Sequence, residues 1–450
     1  MHYPWWYVPV LTAPMLIAFI AVIHVFVSHY AVGGGILLAL ENQFAVKTGD
    51  KKYRDYLYKH ARFFVLLTVA YGAITGVGIW WTIALASPAA TEKLIRMFVF
   101  GWAIEWVFFI IEIVAAFAMY YFWSKLPEKT HIIITWIYAL AAWISLVLIS
   151  GITAFMLDSR GLIANWSDTG NFWHAFFNLQ FLPQTVARTG GALLLAALYV
   201  LIHAAWVYRN DISNELFLKV VRRMGKPLLF GIITIIIGVG WGCAVLHEQV
   251  FVAVERSVFL NVLFALFFGI SGLITLLVFF GPVRNPRSVN FGFAVSIFIL
   301  SLTALSVVEF AREAIRKPWI VNNVVLGNQI FAGEIEDRQK NGFLQPFREL
   351  PDLMPVPAGD TAESRFAKGG MLFMYHCNNC HALDHGMSAV GPLLYGESKE
   401  QIADKLRHLN IPVVSMPVWS GTDAELEALA EFLVSIRPAA EREKTDGRKN

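Results

Sequence analysis

The sequence predicts an all-α protein in two parts: a polytopic bundle of about eight membrane-spanning helices over residues 1–319, and a small all-α soluble domain over 361–438. A linker at 320–360 joins them and a disordered tail at 439–450 closes the chain. Three observations carry this reading. The 450 residues are 57% hydrophobic and only 15% charged, with a mean hydropathy of +0.56, more apolar surface than a water-soluble chain of this length keeps out of water. The apolar residues gather into eight long runs that end before Trp319. Beyond Asp360 the composition turns polar and the hydrophobic period becomes that of amphipathic helices.

A helix needs about 20 apolar residues to cross roughly 30 Å of hydrocarbon. Runs of that kind occupy Met15–Leu40, Phe63–Ala86, Phe98–Trp123, Ile132–Met156, Thr185–Tyr208, Pro227–Leu246, Val258–Phe280 and Phe291–Phe310. The first has no basic stretch before it and no small-residue cleavage site, so it reads as a retained span. Orientation follows from the cations. Fifteen Lys and Arg lie in the loops on one side, six of them between Lys47 and Arg62, against Lys93, Arg96, Arg160 and Arg256 on the other. The richer side faces the cytoplasm by the positive-inside rule. An even number of spans then places both termini outside, so the expected location is a bacterial inner membrane with the C-terminal domain in the periplasm.

In that domain Cys377-Asn378-Asn379-Cys380-His381 forms a CxxCH run. Two thiols three positions apart can add across the two vinyl groups of a haem, and the adjoining imidazole becomes an axial ligand of its iron. A zinc site would need a second Cys/His pair, and the only other cysteine, Cys243, lies far away in an apolar run where a packed core thiol is expected. The run therefore reads as the attachment site of one covalent haem c, with His381 on the iron and Met416, in Met416-Pro417, as the second ligand. The span from 361 onward resembles a class I cytochrome c, with a short helix leading into the CxxCH run and a second over Asp423 to Ile436. His376, His385 and His408 read as surface residues.

Ionisable side chains inside the apolar runs mark function more often than packing, because each costs several kcal/mol unless partnered. Five stand out. His24 lies in the first run, Glu105 and Glu112 in the third, seven residues apart and nearly on one helix face, and Glu309 and Glu313 end the eighth. A histidine and carboxylates at similar depth suggest haem irons or a proton relay. Against this, His24 could simply bond a neighbouring helix, and Glu309 and Glu313 could pair with Arg312 and Arg316.

The segment from His24 to Gly35, the helix with Ile104-Glu105 and Glu112, and the run Glu313-Ala314-Ile315-Arg316-Lys317-Pro318-Trp319 together resemble subunit I of the cytochrome bd-type oxygen reductases, whose corresponding motif reads E-x-G-R-Q-P-W. The resemblance implies that His24, Glu105 and Glu313 ligate one or two buried haems of b or d type where oxygen is reduced, with Glu105, Glu112 and Glu313 as catalytic residues. It also implies that Glu112 lies on a proton route and that Arg316 steadies a haem propionate. Departures matter as much. Gln184 stands where the family has the histidine of its low-spin haem, and the long loop on which the family oxidises quinol is reduced to little more than His247–Arg256. A tethered haem c is similar to the cytochrome-c-bearing, non-quinol branch of the superfamily.

The expected function is thus a membrane oxidoreductase that passes electrons from a periplasmic cytochrome c or other donor, through haem c, to a buried haem centre that reduces O2 to water. The alternatives are a nitrogen-oxide reductase or an electron-transfer subunit without catalysis of its own. Expected partners are membrane lipid and a second membrane subunit; a net charge of +3 gives no ground for nucleic acid. Pro346, Pro351, Pro355 and Pro357 make 320–360 read as an extended linker that docks or swings the C-terminal domain.

Overall fold

The computed structural model describes Trp6 and residues 8–345, 355–410 and 415–436; the expected tail, Pro346 and Pro351 lie outside these residues. Among the described residues eight helices are long and apolar enough to cross a membrane: Ala13–Lys47, Lys51–Ala86, Val99–Tyr121, Glu128–Leu157, Phe181–Val207, Glu215–Ala244, Val258–Val283 and Phe291–Arg316, the first to eighth spans below. They agree with the eight apolar runs but extend past several of them. The sixth starts at Glu215 and carries Pro227 inside it, because Asn214 caps it by accepting a hydrogen bond from Leu216 N and an amphipathic turn precedes the apolar stretch. Apolar length marks the hydrocarbon, and capping marks the helix.

The chain forms two compact units, Ile20–Ile79 with Leu94–Arg312, and Met1–Phe19 with Trp80–Lys93 and Glu313–Asn450. In the first, the fifth span is the axis, with 72% of its apolar window buried against its neighbours. With lipid as solvent, helices associate by close backbone approach at small residues. At Gly33 of the first span an ideal Cβ would lie 2.0 Å from the Ala192 carbonyl oxygen of the fifth. Gly190 and Gly231 do the same for the fifth and sixth, each with its missing Cβ 2.7 Å from the other's carbonyl. One end of this unit is tied by polar contacts: Glu41 accepts from Tyr53 Oη at 2.7 Å and pairs with Arg223, while Lys219 pairs with Asp50. Cys243, expected in the core, is exposed instead, because it sits near the end of the sixth span on an outward face.

The second unit contains a small helical module. Ala362–Leu372 crosses Asp423–Ser435 so closely that the missing Cβ of Gly369 falls 2.4 Å from Ala428 O. Lys399–Arg407 packs beside them, and both it and the last helix begin with a full capping box, Ser398/Gln401 and Thr422/Glu425. Much of the expected linker differs from an extended chain. Trp319–Val321 and Val325–Leu326 form an antiparallel hairpin, Ile335–Asn341 is helical, and Leu326, Ile330, Phe343 and Leu344 are buried in the module's core. Glu425 fixes this segment by accepting from Phe343 N at 2.7 Å and Leu344 N at 2.9 Å. Two other stretches of this unit join the module: Val10 O accepts from Met387 N at 2.9 Å, and Gln329 Oε1 accepts from Ala90 N at 3.2 Å.

Replacing Gly33 with Val should force the first and fifth spans apart and destabilise the protein by roughly 1–3 kcal/mol or more. Gly240→Ala, with nothing within 4 Å of its Cβ, should change stability by no more than about 0.5 kcal/mol. Thermal melts of the detergent-solubilised variants compare the two, and equal melting points would refute the packing argument.

Candidate functional site

The CxxCH turn follows a short π-helical turn, Phe373–Cys377, that ends the module's first helix. Cys380 N and His381 N both donate to Cys377 O, at 3.1 and 3.0 Å, so one tight turn carries both thiols and the imidazole. Both cysteines are free. Burial pushes the Cys377 thiol up to about 12 and raises Cys380, on which the Lys317 cation acts in the opposite sense and Glu313 in the same sense. His381 Nδ1 lies 2.7 Å from Ser388 O. A carbonyl only accepts, so Nδ1 carries the proton and Nε2 keeps a lone pair for iron. The residues present thus fit a covalent haem. Met416 is half-buried and described, though 411–414 before it lie outside the described residues.

The turn is seated by the hairpin. Asn379 Nδ2 donates to Gly327 O at 3.1 Å, Gly327 N donates to Pro318 O at 2.7 Å, and a Cβ on Gly327 would lie 3.9 Å from Cys380 Sγ. Lys317-Pro318-Trp319 therefore adjoins the thiol-bearing turn. Two carboxylates at the end of the eighth span meet the cations that the sequence offers them: Arg312 donates to Glu309 from Nε at 3.0 Å and Nη2 at 2.7 Å, and Arg316 pairs with Glu313.

In the membrane unit His24 Nδ1 is 3.1 Å from Thr75 Oγ1, while Thr75 donates its one hydroxyl proton to Tyr71 O at 2.9 Å. The hydroxyl oxygen is then the acceptor, Nδ1 the donor, and Nε2 of His24 retains its lone pair. The missing Cβ of Gly76 leaves the ring room, at 3.3 Å from Cε1. Glu105 accepts from Ser145 Oγ at 2.8 Å and Glu112 from Tyr138 Oη at 3.1 Å. Both carboxylates stand on the third span and both are half-buried. A carboxylate has about four acceptor positions, so neither is saturated by these partners.

His376, read as a surface residue, is 5% exposed, with its ring stacked on Trp419 at 4.8 Å. The pattern Phe373, His376, Cys377 on one helical face was the signal for its burial. His385 is exposed and His408 is half in solvent, as read. Two further intramembrane groups, His29 and Arg188, escaped notice beside His24 and Gln184; an ionisable residue within an apolar run was the available signal.

Eight apolar helices that carry ionisable side chains, followed by a small helical module with a CxxCH turn, define a polytopic membrane protein. The model of the family described as cytochrome bd terminal oxidase subunit I matches residues 13–256. The chain belongs to the cytochrome bd terminal oxidase subunit I family. It is thereby a multi-pass membrane haem oxidoreductase of respiratory electron transport, in a family that reduces O2 with b and d haems. Among solved structures it is similar in fold to bd oxidase from Geobacillus thermodenitrificans, with a TM-score of 0.61 at 15% identity, over 70% of this chain and 89% of that one. No curated protein matches it. His24, Glu105 and Glu112 fall within the matched residues; Glu313, Arg316 and the CxxCH turn lie beyond them.

Burial, opposed by a backbone hydrogen bond and joined by the Arg338 charge, lowers His376 to about 4 from 6.5. The unfolded chain therefore binds a proton that the folded chain refuses, and stability present above pH 6.5 is lost as pH falls toward 4. The loss is on the order of 3 kcal/mol. Thermal melts between pH 7.5 and 4.5 should show this slope and His376→Phe should flatten it; an unchanged slope in the variant would exclude His376 as its source.

Proposed function

We propose that this chain is a terminal oxidoreductase that draws electrons from a periplasmic donor through a covalent haem c and reduces O2 to water at buried haem of b or d type. The observation that carries the proposal is the CxxCH turn with its protonated Nδ1 on His381, in a chain that belongs to an O2-reducing family. Haem c, when bound, supplies one-electron transfer. Cys377 and Cys380 would anchor it as thioethers, and His381 Nε2 and the Met416 sulfur would take its iron. In the membrane unit His24 Nε2 and the unsaturated Glu105 carboxylate suit buried iron; Glu313, a further proposed ligand, and Arg316, proposed for a propionate, belong to the other unit.

O2 reduction consumes four electrons and four protons per pair of waters. Glu112, held by the Tyr138 hydroxyl and facing the same way as Glu105 one heptad earlier, is placed to pass protons along the third span. Quinol has no large loop to bind, because the sixth and seventh spans are joined through the short helix Glu248–Arg256, which supports a soluble donor. The domain organisation that goes with this reading is a membrane domain to residue 319 and a cytochrome c domain over 361–438, with the hairpin segment seated on the latter. The C-terminal domain belongs in the periplasm, facing the donor. The third and seventh spans, 17% and 11% buried in their apolar windows, suit lipid and a second membrane subunit.

Haem staining of the denatured chain should be positive, and Cys377→Ser with Cys380→Ser should abolish it. With a reduced soluble cytochrome as donor, oxygen uptake should be present in the parent and fall to background in that double variant, while quinol gives none. Absence of covalent haem in the parent, or consumption of nitric oxide without oxygen uptake, would overturn the proposal.

A further inference from the structure

One stripe of the fifth span has no role so far. Gln184, Arg188 and Gly191 recur at i, i+4 and i+7 and so lie on one helix face. The Oε1 atom of Gln184 is buried without a hydrogen-bond partner. Arg188, about 10 Å in from the start of the span, has no hydrogen bond or ion pair to any described residue, and acts on Glu309 and Arg312 of the eighth span only at longer range. Glu309 is already held by Arg312. Arg188 therefore stands inside the bundle without a hydrogen-bonded acid partner of its own, where such a charge is costly. The stripe thus wants an acid group.

Opposite it stands His29 of the first span, 7% exposed. Its Nδ1 is 3.0 Å from Val25 O, so Nδ1 carries the proton and Nε2 keeps its lone pair. Its ring edge lies against Gly191, whose missing Cβ would fall 3.5 Å from Cδ2 and 3.9 Å from Nε2. Arg188 and Glu309 both act electrostatically on this imidazole. His29 points about 140° away from His24 around the helix, so the two imidazoles cannot serve the same face of one iron.

We infer that His29 and Arg188 form a second, non-covalent haem site, with His29 Nε2 as a ligand to the iron and Arg188 as the partner of a porphyrin propionate. This rests on the proposed haem-enzyme reading. It gives the chain an imidazole for a haem that Gln184 cannot ligate, supplied from the facing helix, and a carboxylate that neutralises the Arg188 charge.

The test uses the full chain purified in detergent with its bound pigments. Acid extraction separates non-covalent haem from the haem left on the polypeptide, and the ratio is compared between variants. His29→Leu should lose one equivalent of non-covalent haem. His24→Leu should lose a different optical band, and the double variant both. His29→Gly purified with imidazole should regain the missing band, which a purely structural role for His29 would not produce. Arg188→Gln should keep the haem count and shift one midpoint potential downward, since a cation that favours the reduced state is removed. An unchanged ratio in His29→Leu, or no rescue by imidazole, would overturn the inference. A parent protein with no non-covalent haem at all would instead overturn the underlying reading.

Discussion

The constraint on which the rest of the structure depends is the absence of water in the bilayer core, which obliges every ionisable side chain on a span to find its partner inside the protein. How fully each one does so separates structure from chemistry. Glu41, near one end of the first span, takes both the Tyr53 hydroxyl and the Arg223 guanidinium, and is consumed as a brace. Glu105 and Glu112 receive one neutral hydroxyl each, from Ser145 and Tyr138. Such a bond orients a carboxylate without neutralising it. A carboxyl group kept oriented without a charged partner in a low-dielectric setting is the kind that iron or a moving proton completes.

The second unit obeys a different rule, since its groups meet water and its stability comes from capping and a small apolar core. Two capping boxes define its helices, and Glu425 serves twice, closing the box with Thr422 and accepting from Phe343 N and Leu344 N. One carboxylate therefore joins the hairpin segment to the module. Because Gly327 and Asn379 then fasten that segment to the CxxCH turn, the chain leaving the eighth span is part of the crevice around the thiols. A tether that swings freely would leave those backbone groups in solvent.

The spans were legible because each is a long apolar run; the CxxCH turn, His24 and the glutamates of the third span drew notice as local departures from that background, a motif of spacing or a charge in hydrocarbon. What stayed hidden depends on tertiary neighbours. Residues 320–360 read as a linker because prolines dominate the eye, whereas Leu326, Ile330, Phe343 and Leu344 are spaced too irregularly to announce a core until the module supplies its other half. Cys243 looked internal because hydropathy measures composition and not facing. His376 looked superficial because an isolated histidine carries no sign of the Trp419 ring, 43 residues away, that covers it.

The hydrogen-bond partners of the histidines fix which ring nitrogen carries the proton. His131 uses both ring nitrogens, donating from Nε2 to Met119 O at 2.9 Å and accepting at Nδ1 from Asn42 at 3.1 Å, which leaves nothing for a metal. His24, His29 and His381 each spend only Nδ1, on an oxygen that accepts. His203 meets the same condition, since Tyr56 gives its hydroxyl proton to Val200 O and can only accept from His203 Nδ1. A free Nε2 is thus necessary and not sufficient. What distinguishes the other three is the second feature beside each: a glycine that thins the facing helix at His24 and His29, and a pair of thiols on the same turn at His381. The histidines proposed here as ligands share a pinned nitrogen together with a space or an anchor shaped for the group that the other nitrogen would hold.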